Sequence, residues 1–161
     1  MAAQGTPGSA PLPAPRRRAG LLPVQTEAAR VVLVSAAVIV EAGRVLLSQR
    51  KSGTHLAGAW EFPGGKVEPD EDPRAALVRE LAEELGVTAE VGDIVEVTFH
   101  RYPGKSVLLL FYEAKLAAGS AAPTAIDVAA VRWAEAGELK DELFPPADVA
   151  VLAKVRARLG G

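Results

Sequence analysis

Three glutamates, Glu80, Glu83 and Glu84, have the residue type and spacing in this sequence that could do chemistry together. Residues three and four apart on an α-helix lie side by side, so this spacing places three carboxylates along one arc of a helix. Like charges at this spacing repel by about 0.2–0.5 kcal/mol per exposed pair. Two interpretations follow. One is a solvated acidic face with arginines nearby, and the other is a site for a hard divalent cation such as Mg²⁺ or Mn²⁺, which prefers oxygen ligands.

A helix over residues 73–85 is predicted to position these carboxylates. Asp72 suits the N-cap, Pro73 suits the first helical position, and Gly86 is a typical residue after a helix end. Between these signals an apolar stripe recurs at helical spacing and predicts a face packed in the core: Leu77, Val78, Leu81 and Leu85. The acidic arc lies beside this buried stripe, where a site could form.

The composition limits the available chemistry to oxygen and nitrogen ligands. The 161 residues include no Cys and two His, which excludes cysteine nucleophiles, thiolate metal sites and a three-histidine metal site. A net charge of −2 provides no basic surface for a nucleic-acid polymer. The longest apolar run, residues 31–40, is shorter than the roughly 18–20 residues of a membrane helix, so no membrane partner is expected.

The texture of the sequence changes after its first 29 residues. Residues 1–29 are rich in Pro, Ala and Gly and are expected to be a disordered N-terminal extension. Residues 30–161 are expected to form one domain. Because residues 1–29 lack the apolar core of a secretory signal, we expect a cytoplasmic protein. We also expect the protein to act as a monomer.

Strand signals surround the predicted helix without a regular alternation of strand and helix. A hairpin is predicted over residues 31–47, and further strands over residues 60–62, 94–99, 107–112 and just before Trp133. A last helix is predicted over residues 146–159. This order indicates an α+β fold with a mixed sheet rather than a Rossmann fold.

The helix and the loop before it carry a longer motif. Gly65 is followed by five residues and Glu71, then by seven residues and the run Arg79-Glu80-Leu81-Ala82-Glu83-Glu84-Leu85-Gly86-Val87. This resembles the Nudix box, G-x5-E-x7-R-E-U-x-E-E-x-G-U with U a bulky aliphatic residue, at every specified position. The resemblance favours metal binding over a solvated acidic face. It also implies the Nudix fold, in which a mixed β-sheet is sandwiched between α-helices.

The resemblance implies a role for each specified position of the box. Glu80, Glu83 and Glu84 are implied metal ligands together with Gly65, whose lack of a side chain lets the backbone approach the metal. Arg79 and Glu71 are implied members of the catalytic group, and an ion pair between them would hold the loop against the helix. The implied cofactor is Mg²⁺, for which Mn²⁺ can substitute, and the implied reaction is hydrolysis at phosphorus of a nucleoside diphosphate linked to another group.

The sequence around the box is similar to the MutT-like branch of the family, which cleaves nucleoside triphosphates to the monophosphate and pyrophosphate. Residues 60–66, Trp-Glu-Phe-Pro-Gly-Gly-Lys, are similar to the MutT segment that enters the box. This similarity implies that the substrate lies against several residues of this segment and of its surroundings: Arg50, Glu61, Phe62, Gly64, Gly65, Lys66 and Tyr102.

Two positions differ from the MutT-like pattern. Asp148 follows Phe-Pro-Pro-Ala where MutT has a base-reading asparagine, and an ionised aspartate can only accept hydrogen bonds, so a base edge of donors is expected. Guanine and cytosine both offer such donors, while a helix cap is the structural alternative for Asp148. Asp127 stands where the subgroup usually has a glutamate that binds metal or acts as a base, and its side chain is one methylene shorter.

These residues predict a metal-dependent nucleoside triphosphate pyrophosphohydrolase that sanitises oxidised nucleotides such as 8-oxo-dGTP. Related enzymes that act on CTP and modified dCTP have a similar Pro-Ala-Asp segment, which leaves cytidine nucleotides as an alternative. A third possibility, from another class, is a non-catalytic Nudix module that senses a nucleotide. Such modules commonly lose carboxylates of the box, and this sequence retains all of them.

Overall fold

A hairpin of β-branched and apolar residues opens the part of the chain that the computed structural model describes, residues 30–160. Ala42 and Gly43 both have positive φ, 48° and 73°, which is the tight turn that a two-residue hairpin requires. The predicted disordered extension, residues 1–29, and Gly161 lie outside the described residues. The described elements are β1 (Val31–Glu41), β2 (Arg44–Gln49), β3 (Trp60–Glu61), β4 (Gly64–Lys66), α1 (Pro73–Leu85), β5 (Ala89–Tyr102), β6 (Lys105–Leu116), β7 (Ala130–Ala134) and α2 (Val149–Leu159).

The seven strands of residues 30–160 form a mixed sheet in the order β3-β2-β1-β6-β5, with β4 paired to β1 and β7 paired to β2. β1 runs parallel to β6, whereas β5 and β6 form a long antiparallel hairpin. Because β1 pairs with β4 over Val34–Ala36 and with β6 on its other side, it is the central strand beside the box segment.

The two helices cover opposite faces of this sheet. Alternate residues of β1 divide between the two faces: Ala36 and Val38 belong to the cluster around α2, and Ala37 and Ile39 to the cluster around α1. This alternation follows from the two-residue period of a strand. The predicted α+β fold, a mixed sheet between helices, is confirmed.

Helix α1 has the bounds that its sequence signals predict. The Asp72 side chain accepts hydrogen bonds from the backbone amides of Arg74 and Ala75, and Gly86 ends the helix with φ 68°. Leu77, Leu81 and Leu85 are fully buried, whereas Val78, predicted in the same stripe, is 38% exposed because it lies at the edge of the buried face. The stripe therefore fixes α1 on the sheet and determines the direction of its acidic arc.

Other predicted bounds differ from the structure. Phe62 follows β3 rather than belonging to it, and both strands of the β5/β6 hairpin are longer than predicted. The last helix begins at Val149 instead of residue 146, because Pro146–Asp148 forms a 3-10 turn. Within residues 30–160, no helix combines the length and the apolar character needed to cross a membrane.

Candidate active site

Arg79 is the centre of the ionic network that joins α1 to the loop before it. Its Nε and Nη2 donate to the two carboxylate oxygens of Glu71 at 2.7 and 2.9 Å, a bidentate pair. Its Nη2 also donates to the carbonyl of Lys66 at 3.2 Å. Arg79 holds the pKa of Glu71 down at about 2, because the guanidinium donates to the ionised form. The loop 66–71 is therefore fixed against the helix, as the motif predicts.

The same guanidinium reaches two of the three glutamates on the acidic arc. Arg79 Nη1 lies 2.8 Å from Glu80 Oε1 and 3.3 Å from Glu83 Oε2. Glu80 is mostly buried, with 15% of its side chain exposed, whereas Glu83 is 58% exposed. A Cβ placed on Gly65 would overlap the Glu80 carboxylate, so a side chain at this position would force that carboxylate to move.

Glu84 is a strongly perturbed carboxyl group on the helix. Burial, and then the charges of Glu80, Glu61 and Asp127, raise its pKa to about 8. Lys51 opposes this increase only in part. The carboxylates in this partly buried cleft thus outnumber the positive charges that could compensate them. A divalent cation would supply the missing positive charge and would find oxygen ligands in these carboxylates.

The carboxylates are not gathered into a finished ligand set. Among residues 30–160, no three His, Asp or Glu side chains converge closely enough to hold an ion as they stand. Glu80 is engaged by Arg79, and Glu83 points to solvent on the same arc. Metal coordination would therefore require Glu80 and Glu83 to adopt other side-chain rotamers. Glu80 would also have to release Arg79.

Asp127 lies next to Glu84 in the fold but has its own ionic partner. Its backbone amide donates to the Glu84 carbonyl at 3.1 Å, so the loop folds over the end of α1. Its side chain pairs with Lys51 at 2.5 Å and is 62% exposed. Asp127 therefore lies at the rim of the cavity described below and is not part of its lining.

A cavity of about 380 Å³ brings together all the residues predicted to contact substrate. It runs from the acidic arc of α1, where Glu80 and Glu84 line it, to the 3-10 turn before α2. Glu83, Arg79, Glu71 and Asp127 do not line it. The predicted residues on its wall are Arg50, Glu61, Phe62, Gly64, Gly65, Lys66, Tyr102 and Asp148.

Arg50 and Glu61 form an ion pair inside this cavity. Arg50 Nη1 lies 2.9 Å from Glu61 Oε2, and its Nε donates to the His55 carbonyl at 2.6 Å. Burial nevertheless raises the pKa of Glu61. Arg50 therefore anchors the loop that contains His55, in addition to facing the cavity.

Asp148 lies at the closed end of the cavity and is 3% exposed. Its side chain makes no capping hydrogen bond to α2, so the helix-cap interpretation is wrong. Burial, followed by the charge of Glu61, raises the pKa of Asp148 to about 8. The raised pKa favours the protonated carboxyl group, which both donates and accepts, over the acceptor-only carboxylate that the residue type predicts.

Aromatic side chains surround this end of the cavity. The centroid of the Tyr102 ring lies 4.9 Å from the ring centroid of His55 and 4.4 Å from that of His100. Phe62 packs edge-on against Phe111 at 5.8 Å and is 3% exposed, so it belongs to the core as well as to the wall.

Sequence reasoning missed part of the wall. His55, Leu56 and Lys105 line the cavity, together with aliphatic residues of β1 and β6. Lys105 follows the Tyr-Pro-Gly turn, which predicts a hairpin tip but not its direction. Only the pairing of β5 with β6, and of β6 with β1, brings this tip over the cavity.

The comparisons with known proteins agree with this geometry. The NUDIX domain family matches residues 29–155. Putative 8-oxo-dGTP diphosphatase 2 of Mycobacterium tuberculosis is 39% identical over 136 residues, which cover 80% of this chain and 91% of that protein. CTP pyrophosphohydrolase of Escherichia coli is 56% identical over 66 residues, which cover 41% of this chain and 49%, about half, of that relative.

A solved structure gives the same result for the fold. The solution structure of the E. coli ORF135 protein aligns with a TM-score of 0.67 and 36% identity, covering 86% of this chain and 94% of that one. The protein therefore belongs to the Nudix family, and the MutT-like resemblance of its sequence is confirmed. Nudix hydrolases generally need a divalent metal ion, which the carboxylates of α1 are suited to bind.

Proposed function

We propose that this protein is a metal-dependent pyrophosphohydrolase that converts a nucleoside triphosphate and water to the monophosphate and pyrophosphate, with 8-oxo-dGTP as its principal substrate. The observation that carries the proposal is the cavity that joins Asp148 at its closed end to Glu80 and Glu84 at its acidic end. A base at one end would place its phosphates against α1. The similarity to a putative 8-oxo-dGTP diphosphatase, which covers 80% of this chain, supports an oxidised purine nucleotide as the substrate.

The acidic end would hold the metal, which we propose to be Mg²⁺, with Mn²⁺ as a substitute. Glu80, Glu83 and Glu84 would be its carboxylate ligands and Gly65 would offer its backbone carbonyl. When bound, such an ion neutralises charge on phosphate oxygens and lowers the pKa of an attacking water. Arg79 keeps Glu80 and Glu83 on one side of α1, and Glu71 orients Arg79.

The chain's own cations would receive the phosphate chain. Lys66 and Lys105 line the cavity, and both carry ammonium groups able to contact phosphate oxygens. Arg50 is held by Glu61, so it meets the substrate in a fixed orientation. Asp127, on the rim, would act on the site through water or after release from Lys51.

At the closed end, Asp148 and Tyr102 would recognise the base. A protonated Asp148 presents one donor and one acceptor, which matches an oxidised guanine edge offering both a carbonyl and an N–H. Tyr102 and Phe62 provide aromatic surface beside it.

Cytidine nucleotides are the second candidate substrates. The observation that favours them is the 56% identity to a CTP pyrophosphohydrolase over 66 residues. The same protonated Asp148 could donate to N3 of cytosine and accept from its N4 amine. Both candidates use the same acidic end. They differ in the base and, for CTP, in the 2′-hydroxyl of the sugar.

A turnover assay with the purified protein tests the proposal. We would compare kcat/KM and products for 8-oxo-dGTP, dGTP, dCTP, CTP, 5-methyl-dCTP and ADP-ribose, with and without Mg²⁺. Monophosphate and pyrophosphate formed selectively from 8-oxo-dGTP are expected. A preference for CTP or 5-methyl-dCTP would move the assignment to cytidine, and tight nucleotide binding without turnover would overturn it.

Glu84→Gln separates catalysis from folding. Removing one charged ligand is expected to lower kcat/KM by roughly 10³-fold, since metal stabilisation of the transition state amounts to several kcal/mol. Glu90→Gln is the matched control, because Glu90 pairs with Lys115 on β5 and β6, outside the cavity lining. Circular dichroism checks that both variants fold. Full activity in Glu84→Gln would exclude the proposed mechanism.

The setting of the reaction is also part of the proposal. We propose a monomeric enzyme that acts in the cytoplasm on free nucleotides. Sedimentation equilibrium at several protein concentrations checks the monomer.

A further inference from the structure

One part of the sheet is apolar but uncovered on the side that packs against α1. Cross-strand pairing places Leu33 of β1, Leu108 of β6 and Phe99 of β5 in one row, with Val97 beside Leu110 in the next row. Paired residues point to the same face of a sheet. We call Val31, Leu33, Val97, Phe99 and Leu108 the open sheet face.

The open sheet face begins where α1 begins. Ser35 Oγ donates to the carbonyl of Pro73, the first residue of α1, at 2.8 Å. Leu110, in the row of Ser35, packs against the cluster around α1. The rows beyond Ser35, toward Val31, have no helix of residues 30–160 over them. Val97 lies in the row of Ser35 itself, at the β5 end of that row. None of the five residues belongs to either core cluster.

Large apolar side chains are therefore left in contact with solvent. Val31 is 53% exposed, Val97 49% and Phe99 47%. Arg101 lies over the Phe99 ring at 5.1 Å and covers part of it. Val31 and Leu33 also border an open groove of about 630 Å³, which is otherwise lined mostly by the polar loop before α1 and does not include Val97, Phe99 or Leu108. The open sheet face itself is thus apolar and partly exposed.

The size of the open sheet face favours a short segment over a second folded chain. Half-exposed side chains at three positions amount to roughly 300 Å² of apolar area, whereas a stable dimer buries about 800 Å² per partner. A short apolar segment of a few residues would cover such an area.

We propose that the N-terminal residues Leu21, Leu22 and Val24 dock on the open sheet face of the same chain. They are the only three large apolar residues of residues 1–29 that fall within four positions of one another. The described structure starts at Arg30, and Val31 is itself part of the open sheet face, so the preceding segment leaves from its edge.

The distances allow this contact. Seven steps of chain from Val24 to Val31 span at most about 25 Å. β5 lies two strands from β1, at about 10 Å, so Phe99 and Val97 are within reach. A short tether gives an effective concentration in the mM range, so a weak intrinsic affinity, with Kd on the order of 1 mM, is enough.

A spin label placed just before the segment tests the proposal in the full chain. The protein has no Cys, so Ala19→Cys provides a single site for a nitroxide. We expect NMR resonances of Val97, Phe99 and Leu108 to lose most of their intensity. Val151 and Val155 of α2, on the other face of the sheet, serve as internal controls and should keep theirs.

Two variants of the labelled protein identify the contact. Leu21→Asp with Leu22→Asp should restore the intensities at the open sheet face, because burying two carboxylates costs more than the contact gains. Leu12→Asp, outside the proposed segment, should leave the broadening unchanged. Equal intensities in the labelled parent and the Leu21→Asp/Leu22→Asp protein would overturn the proposal.

A mixed sample distinguishes a contact within the chain from one between chains. Spin-labelled chains without isotopes are mixed with isotope-labelled chains without a spin label. Within-chain docking predicts no broadening in this mixture. Broadening at Val97 and Phe99 would assign the open sheet face to a second copy instead and would overturn the proposal.

Discussion

Asp148→Asn is expected to change how the stability of the protein depends on pH. The folded protein keeps a proton on Asp148 up to a pKa of about 8, while an aspartate in the unfolded chain loses it near 3.8. Between these values the folded state binds one more proton than the unfolded state. The free energy of unfolding of the parent therefore falls as the pH rises through this range. The variant keeps the shape of the side chain but cannot lose a proton there.

The size of the effect follows from the pKa interval. At 1.36 kcal/mol per pH unit, the interval from 3.8 to about 8 corresponds to about 6 kcal/mol in total. Between pH 6 and pH 8 the contribution is about 2 kcal/mol, because titration is only half complete at pH 8. The parent should lose this amount relative to the variant. The 3% exposure of Asp148 leaves little solvent to weaken the effect.

Urea unfolding of both proteins at pH 6, 7 and 8 measures the difference. Glu61 titrates in both proteins, so most of its contribution cancels. Asp93→Asn, on an exposed position of β5, is the matched control and should follow the parent at every pH. A parent-to-variant difference that changes by less than about 0.5 kcal/mol from pH 6 to pH 8 would show that Asp148 is ionised in the folded protein.

Three further predictions concern the acidic end of the cavity. Arg79→Met should lower the midpoint of urea unfolding, because Glu71 and Glu80 lose their shared ion-pair partner; an unchanged midpoint would contradict this. Gly65→Ala should lower kcat/KM by at least tenfold, because the new Cβ displaces the Glu80 carboxylate, whereas Gly137→Ala, in open space, should not. Because Glu84 has a pKa of about 8, calorimetric Mg²⁺ affinity should rise about tenfold per pH unit from pH 6 to 7, and this slope should vanish in Glu84→Gln.

The part of the site that depends on local signals could be predicted from the sequence. The bounds of α1 follow from Asp72 and Gly86, whose capping chemistry involves neighbouring residues only. The Glu71–Arg79 pair follows from the same short segment. Both features could therefore be predicted, because they depend on residues that are close together in the sequence.

The closed end of the cavity could not be predicted from local signals. Tyr102 meets His55 and approaches Asp148 only because β5 pairs with β6 in one register, and strand register is a long-range property. Pro145 and Pro146 favour a turn, so α2 begins at Val149 and not at residue 146. The raised pKa of Asp148 depends on its burial in the fold, and burial cannot be inferred from the residue type alone.

Burial at the two ends of the cavity links stability to substrate binding. A nucleoside triphosphate is strongly anionic, and ionised carboxylates at Glu84, Glu61 and Asp148 would repel it. The raised pKa of Asp148 favours its protonated form at neutral pH, and Arg50 compensates Glu61. Glu84, whose pKa is also raised, would be compensated by the divalent ion once it ionises to bind it. The desolvation that destabilises these carboxylates thus also removes much of the repulsion. A substitution that exposes the cavity would stabilise the ionised acids, and for that reason it would weaken the binding of an anionic substrate.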